Sequence, residues 1–94
     1  DNDALQPTGF GLDDPVPNPF NSRVRIDYSL SRSGRMCLSL WDVNGRLVRE
    51  LLRTSAGGGG HSLTLNAGLL PSGLYIIRLE AAGLSSQKKL ILLR

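Results

Sequence analysis

From Arg23 onward, apolar and polar residues take turns, and turn-forming residues interrupt the pattern about every 8 to 12 positions. "RVRIDYSLS" puts Val24, Ile26, Tyr28 and Leu30 on one face and Arg23, Arg25, Asp27 and Ser29 on the other. A side-chain period of two belongs to a strand with one buried face. "RMCLSLWD" sets Met36, Leu38 and Leu40 against Cys37, Ser39 and Trp41. "LYIIRLEA" sets Tyr75, Ile77 and Leu79 inward, with Ile76, Arg78 and Glu80 outward. "HSLTLN" aligns Leu63 with Leu65, and "QKKLILLR" is a further strand. Between them, "SRSG" (31–34), "AGLLPSG" (67–73) and "AGLSS" (82–86) read as turns or loops. Asn44-Gly45 in "VNGR" predicts a hairpin with a type I′ turn, which needs positive φ at both central residues. "LVRELLR" (47–53) is ambiguous. Leu47, Val48, Leu51 and Leu52 fit a helical face, but a hairpin turn ahead of them favours a returning strand. Six or seven short strands with this punctuation predict an all-β, antiparallel β-sandwich.

Ninety-four residues, 40 % of them hydrophobic, suffice for one domain with a modest core. Four of the five prolines fall in residues 1–19, which show no apolar period. That stretch reads as a linker leading into an edge strand or extended arm, with Phe20 packing inward where the domain begins. The chain begins at Asp1 without an initiator Met and reads as a piece of a longer precursor. No apolar run approaches the ~20 residues of a membrane span.

The net charge of +3 combines four aspartates in the first fourteen residues with a basic remainder. Nine of the basic residues are arginines, scattered singly along the chain. Scattered charges describe solvated strand faces better than a nucleic-acid footprint. The single cysteine, Cys37, excludes an intramolecular disulfide. One Cys and one His exclude a structural zinc site on ligand count.

The strongest hint of an active site is "TSAGGGGHSLTL" (54–65), four glycines followed by His61. A phosphate-binding loop needs Lys-Ser/Thr after its glycines and a helix N-terminus facing the phosphate. Here a strand pattern follows, so the run reads as a hairpin connection. His61 lacks the converging nucleophile and carboxylate of a triad and reads as a half-exposed residue where a strand starts. Asp13 and Asp14 supply too few oxygens for a defined calcium site. Trp41 and Tyr75 read as strand packing rather than as a sugar-stacking platform. No catalytic residue, cofactor-binding residue or metal ligand is assigned, and the chain is not expected to be an enzyme.

"PNPFN" (17–21), "IDYSLSRSG" (26–34), "LWDVNGRLVREL" (40–51), "GGHSLTLN" (59–66), "LPSGLYIIRLEA" (70–81) and "KKLILLR" (88–94) occur in this order. The ordered set, covering about residues 15–94, resembles the C-terminal sorting domain of proteins exported by the type IX (Por) secretion system. It is also similar to the related Ig-like domain of the flagellar hook-capping protein. The four-glycine run is longer than the family's usual one or two glycines, in a loop where insertions cost little.

The resemblance implies an Ig-like sandwich of about seven strands over residues 15–94, preceded by a linker (1–14) from a passenger domain. It implies a non-catalytic address that takes the passenger through the periplasm and across the outer membrane, to the cell surface or beyond. The partners it implies are the type IX translocon and a surface sortase that cuts within about residues 4–14 and attaches the passenger to the surface. Lys88, Lys89, Leu90, Ile91, Leu92, Leu93 and Arg94 match the basic, apolar C-terminal strand, the expected point of translocon recognition. A terminal strand at a sheet edge suits β-augmentation, with the charges guarding it against self-pairing. The remaining matches are fold determinants. Asn18, Pro19 and Phe20 are expected to anchor the first strand. Asp42, Asn44, Gly45 and Arg46 are expected to form the hairpin. Pro71, Ser72, Gly73 and Tyr75 are expected to lead into the penultimate strand. A scaffold or adhesion module of the hook-cap kind, or an accessory module of a secreted enzyme, is the alternative. No nucleic acid and no membrane span are expected, and the domain is expected to be a monomer or weak homodimer.

Overall fold

The computed structural model describes residues 9–94. Residues 1–8, including Asp1, Asp3 and most of the expected linker, lie outside the described residues. Seven strands follow in order: β1 (Gly11–Leu12), β2 (Arg23–Leu30), β3 (Gly34–Asp42), β4 (Leu47–Ala56), β5 (Gly59–Asn66), β6 (Gly73–Ala81) and β7 (Leu84–Leu92). They form two antiparallel sheets, β1-β2-β5 and β4-β3-β6-β7, packed as an Ig-like sandwich. No helix occurs among the described residues.

The period of two in the sequence becomes the two sides of each sheet. Ile26, Leu38, Leu40, Ile77, Leu79, Leu90 and Leu92 have no exposed surface, and Val24, Phe20 and Tyr28 nearly none. Each fully buried side chain of this kind contributes about 1.5–3 kcal/mol relative to exposure. Ser39 is buried on the outer side of β3, where its Oγ accepts a 2.8 Å bond from Trp41 Nε1 and the indole covers it.

β4 is a strand, and its ambiguous pattern has a structural cause. Its register with β3 runs Leu38↔Leu52 then Ser39↔Glu50, and Leu40↔Arg49 then Trp41↔Leu47. Leu51 and Val48 are thus the extra residues of two β-bulges. Each bulge breaks the alternation, and the pairs Leu47-Val48 and Leu51-Leu52 are left at a spacing that mimics a helix.

The β3–β4 hairpin corrects the expected turn type. Gly45 N donates to Asp42 O (3.2 Å) and Asp42 N to Arg46 O (3.0 Å). Gly45 has φ +81°, but Asn44 does not have positive φ. This is a type I turn followed by a left-handed glycine, not type I′. Asp42 Oδ1 accepts from Asn44 N and Arg46 N at 2.9 and 3.0 Å. An aspartate just before the turn satisfies amides best left on one side of it, which favours the type I form. The type I′ geometry occurs instead at Ala82-Gly83, with φ of 52° and 77°, between the paired residues Ala81 and Leu84.

Gly57 and Gly58 join β4 to β5, which lie in different sheets, so the run is a crossover between the sheets and not the expected hairpin connection. A Cβ on Gly58 would lie 3.1 Å from Arg32 Cα and 3.3 Å from Arg32 C, so two loops cross there backbone to backbone. His61 sits on β5, stacked on Tyr28 with ring centroids 5.4 Å apart, and its Nε2 lies 2.7 Å from Gly57 O.

Candidate functional site: the C-terminal strand and its strap

β7 is an edge strand of the four-stranded sheet. Leu90 and Leu92 point into the core, and Lys88 is half-buried on the same face. Lys89, Ile91 and Leu93 lie on the outer face, with Lys89 opposite Ile76 and Ile91 opposite Leu74. The seven residues Lys88–Arg94 therefore divide into a core half and a presented half.

The segment ahead of β2 runs along the outer edge of β7 and ties it down. Leu12 N donates to Ser86 Oγ (3.1 Å), and Lys88 Nζ lies 3.2 Å from Asp14 Oδ1. Asn18 then acts as a strand residue through its side chain. Its Nδ2 donates to Lys89 O (3.1 Å), and its Oδ1 accepts from Ile91 N (2.9 Å). Phe20 continues the ladder through its backbone: Phe20 N donates to Ile91 O (2.9 Å), and Leu93 N donates to Phe20 O (2.8 Å). On its other side the segment bonds β2. Asp13 N donates to Asp27 O, and Val16 exchanges both backbone bonds with Arg25.

Residues 11–20 are thus a strap that closes one side of the sandwich. Gly11 and Leu12 pair with Ser29 and Tyr28 inside the stretch expected to be linker, and Leu12 is buried. Asn18 and Phe20 are tied to the last strand rather than anchoring the first. The backbone edge of β7 from the Lys89 carbonyl to Leu93, expected to be free for strand addition, is already paired. Alternation leaves Ser85, Gln87 and the N–H of Lys89 facing outward without a bond from the strap.

The lower end of β7 is fixed by Arg94. Its N donates to Ser72 Oγ (3.0 Å), its Nε to Leu70 O (2.8 Å) and its Nη2 to Gly68 O. Tyr75 Oη donates to Pro71 O at 2.6 Å, and Arg49 Nη1 to Asn66 O at 3.2 Å. Pro71, Ser72 and Tyr75 therefore hold the loop that leads into β6. Leu69 at the loop's tip is fully exposed.

The other candidates stay apart. Tyr75 is buried, whereas Trp41 faces outward with the Arg78 guanidinium 5.2 Å from its ring, so the two form no common platform. No cluster of three metal-ligating side chains occurs among the described residues. Cys37 is half-buried on the outer face of β3, with Glu50 Oε2 3.9 Å from its sulfur. Burial pushes the thiol's pKa up; Arg53 opposes this, and Glu50 and Glu80 reinforce it. Since the thiolate is the nucleophile, Cys37 is expected to react with iodoacetamide at pH 8 a few-fold more slowly than in the urea-unfolded chain. Glu50→Gln is expected to speed the reaction, and equal folded and unfolded rates would contradict the account.

No curated protein matches the chain at a significant level. The family model of the secretion system C-terminal sorting domain matches residues 16–93, from within the strap to the end of β7. The family is non-catalytic and carries a signal for type IX secretion, read by that system's machinery, across the envelope to the surface or the extracellular space. With strands β2 to β7, the second half of the strap and the basic, apolar character of the last strand falling inside the match, the chain belongs to the secretion system C-terminal sorting domain family.

Proposed function

We propose that the outward half of β7, Lys89, Ile91 and Leu93 with Arg94, is the surface the type IX translocon reads, and that β7's inward half serves the fold. The observation carrying this reading is the division of Lys88–Arg94 between a buried face and a presented one. The presented residues combine two aliphatic side chains with two cations on a strand fixed along both edges, so recognition costs little ordering entropy. A sortase then separates the passenger from the domain. Phe10 packs against the core and Leu12 lies within it, so the cut falls ahead of Phe10, in the part of residues 4–14 that precedes the fold.

The test fuses residues 1–94 to a periplasm-competent fluorescent passenger in a bacterium with a type IX system. A triple variant, Lys89→Glu/Ile91→Thr/Leu93→Ser, removes the presented chemistry and leaves Leu90 and Leu92 in place. Truncated interface anchors cost more than about 1 kcal/mol each, so three together predict on the order of a hundredfold weaker recognition. The parent fusion should reach the surface or medium, and the variant should accumulate folded in the periplasm. Arg53→Ser, on β4 at the opposite edge of the four-stranded sheet, should be exported normally. Export of the triple variant at the parent's level would overturn the assignment. The mass of the released passenger reads the cleavage position.

A further inference from the structure

The sandwich is closed on the strap's side and open on the other, where β4 and β5 are the edges. Backbone bonding fixes which groups of β5 are free. On β2, Arg25 and Asp27 direct their backbone groups to the strap. The alternate residues Val24, Ile26 and Tyr28 therefore face β5, where Leu65, Leu63 and His61 are their partners. The N–H and C=O of Gly60, Ser62 and Thr64 consequently point away from the sheet, and all three residues are exposed.

Exposed edges in folded proteins carry guards. β4 has two bulges with Arg49, Glu50 and Arg53 along it. β7 is covered by the strap, and β1 is two residues long. β5, "GGHSLTLN", has no Lys, Arg, Asp, Glu or Pro, and its eight-pair register with β2 is unbroken.

We propose that β5 is a pairing edge for a second copy of this chain, two β5 strands joining antiparallel about a two-fold axis through Leu63. Side chains and backbone impose one parity on the register, and the half-buried Leu63, whose remaining surface needs cover, sets its centre. The joined sheet must keep one apolar face, so odd positions must oppose odd positions. The free backbone groups sit on even positions, which must also oppose each other. Both hold when Ser62 faces Thr64 of the second copy, His61 faces Leu65 and Leu63 faces itself. Each Ser62–Thr64 pair then exchanges two backbone bonds and brings two hydroxyl side chains together, a favourable cross-strand pair. The half-buried Leu63 side chains cover each other's remaining surface. A second copy supplies this match by symmetry, and β5's own side chains offer it no charge repulsion, Arg49 Nη1 on Asn66 O lying at the strand's end beyond the Ser62–Thr64 pairs. One short strand pair buries less than the ~1,200 Å² of a standard interface, so the dimer is a reversible one.

Sedimentation of the chain from about 10 μM to about 1 mM, a range of weak dissociation constants, should show a monomer giving way to a dimer. Thr64→Pro removes an N–H that points away from β2, so the intramolecular ladder survives. It should raise the dimer dissociation constant at least about tenfold. Thr64→Lys, which guards the edge with charge, should do the same and decides the matter where the proline variant fails to fold. In a Cys37→Ser background, Leu63→Cys should be oxidised by added oxidised glutathione, which takes up the two electrons and two thiol protons, to a disulfide-linked dimer, because directly opposed non-hydrogen-bonded residues have Cα atoms about 4.5 Å apart. A monomer throughout the range would overturn the proposal. So would a dimer that both Thr64 variants leave unchanged, since its contact lies elsewhere.

Discussion

A chain ending at Gln87 is expected to lose its cooperative fold. The deletion removes Leu90 and Leu92, both without exposed surface and both facing the centre of the sandwich. Truncating one such leucine to alanine costs about 2–5 kcal/mol, and here two whole residues go. The ladder from Gly73↔Leu92 to Ile77↔Lys88 goes with them, as do the bonds that Asn18 and Phe20 make to β7. Arg94's bonds to Gly68 and Leu70 are lost as well. Each intramolecular hydrogen bond is worth about 1 kcal/mol net. Set against a total stability of about 5–15 kcal/mol for a domain, the losses exceed what remains. Urea titration followed by near-UV circular dichroism should show no cooperative transition. A transition within about 1 M of the full chain's midpoint would show that β7 is dispensable to the fold. The expected result bears on export assays, because a truncated signal that fails has lost its fold as well as its recognition surface. Substitutions at Lys89, Ile91 and Leu93 separate the two, since these side chains lie on the outer face.

The sandwich was legible because most strands keep strict alternation between a buried and a solvated face. β2 and β6 carry it without interruption, and their inward residues are the buried ones. The exceptions arise where the backbone leaves the regular pattern. β4 carries two extra residues, each of which flips the phase of its side chains, so no single period describes it. In the β3–β4 turn, Asn-Gly is compatible with two turn types, and the Asp42 carboxylate that decides between them acts through backbone amides. The strap was the hardest part to see. Asn18 substitutes for a strand residue through its side-chain amide, which leaves no periodic trace. Its proline-rich surroundings read as linker because prolines remove the backbone donors of a regular ladder. The basic, apolar character of the last strand was visible, but that strand's edge is occupied by a segment some seventy residues earlier in sequence.

Phe20→Ala is expected to produce the largest loss from a single substitution. The ring is 3 % exposed and belongs to the core where the strap meets β7. Alanine keeps the backbone bonds to Ile91 and Leu93 but leaves a cavity, at a cost of about 3–5 kcal/mol. For a domain of this length each kcal/mol lowers Tm by about 4–8 °C, so the variant should melt at least about 12 °C below the parent. The effect should be uneven along β7. The amides of Ile91 and Leu93 bond Asn18 Oδ1 and Phe20 O, whereas those of Leu90 and Leu92 face β6. Hydrogen exchange should therefore accelerate more at Ile91 and Leu93, because the strap can lift without the sheet opening. A Tm loss below about 5 °C would mean that the site collapses around the cavity and that the ring matters little. A large Tm loss with equal acceleration at all four amides would mean that strap and sheet open as one unit. In that case β7's edge becomes available to a partner strand only when the domain unfolds, and a folded signal can be read only through the outward side chains.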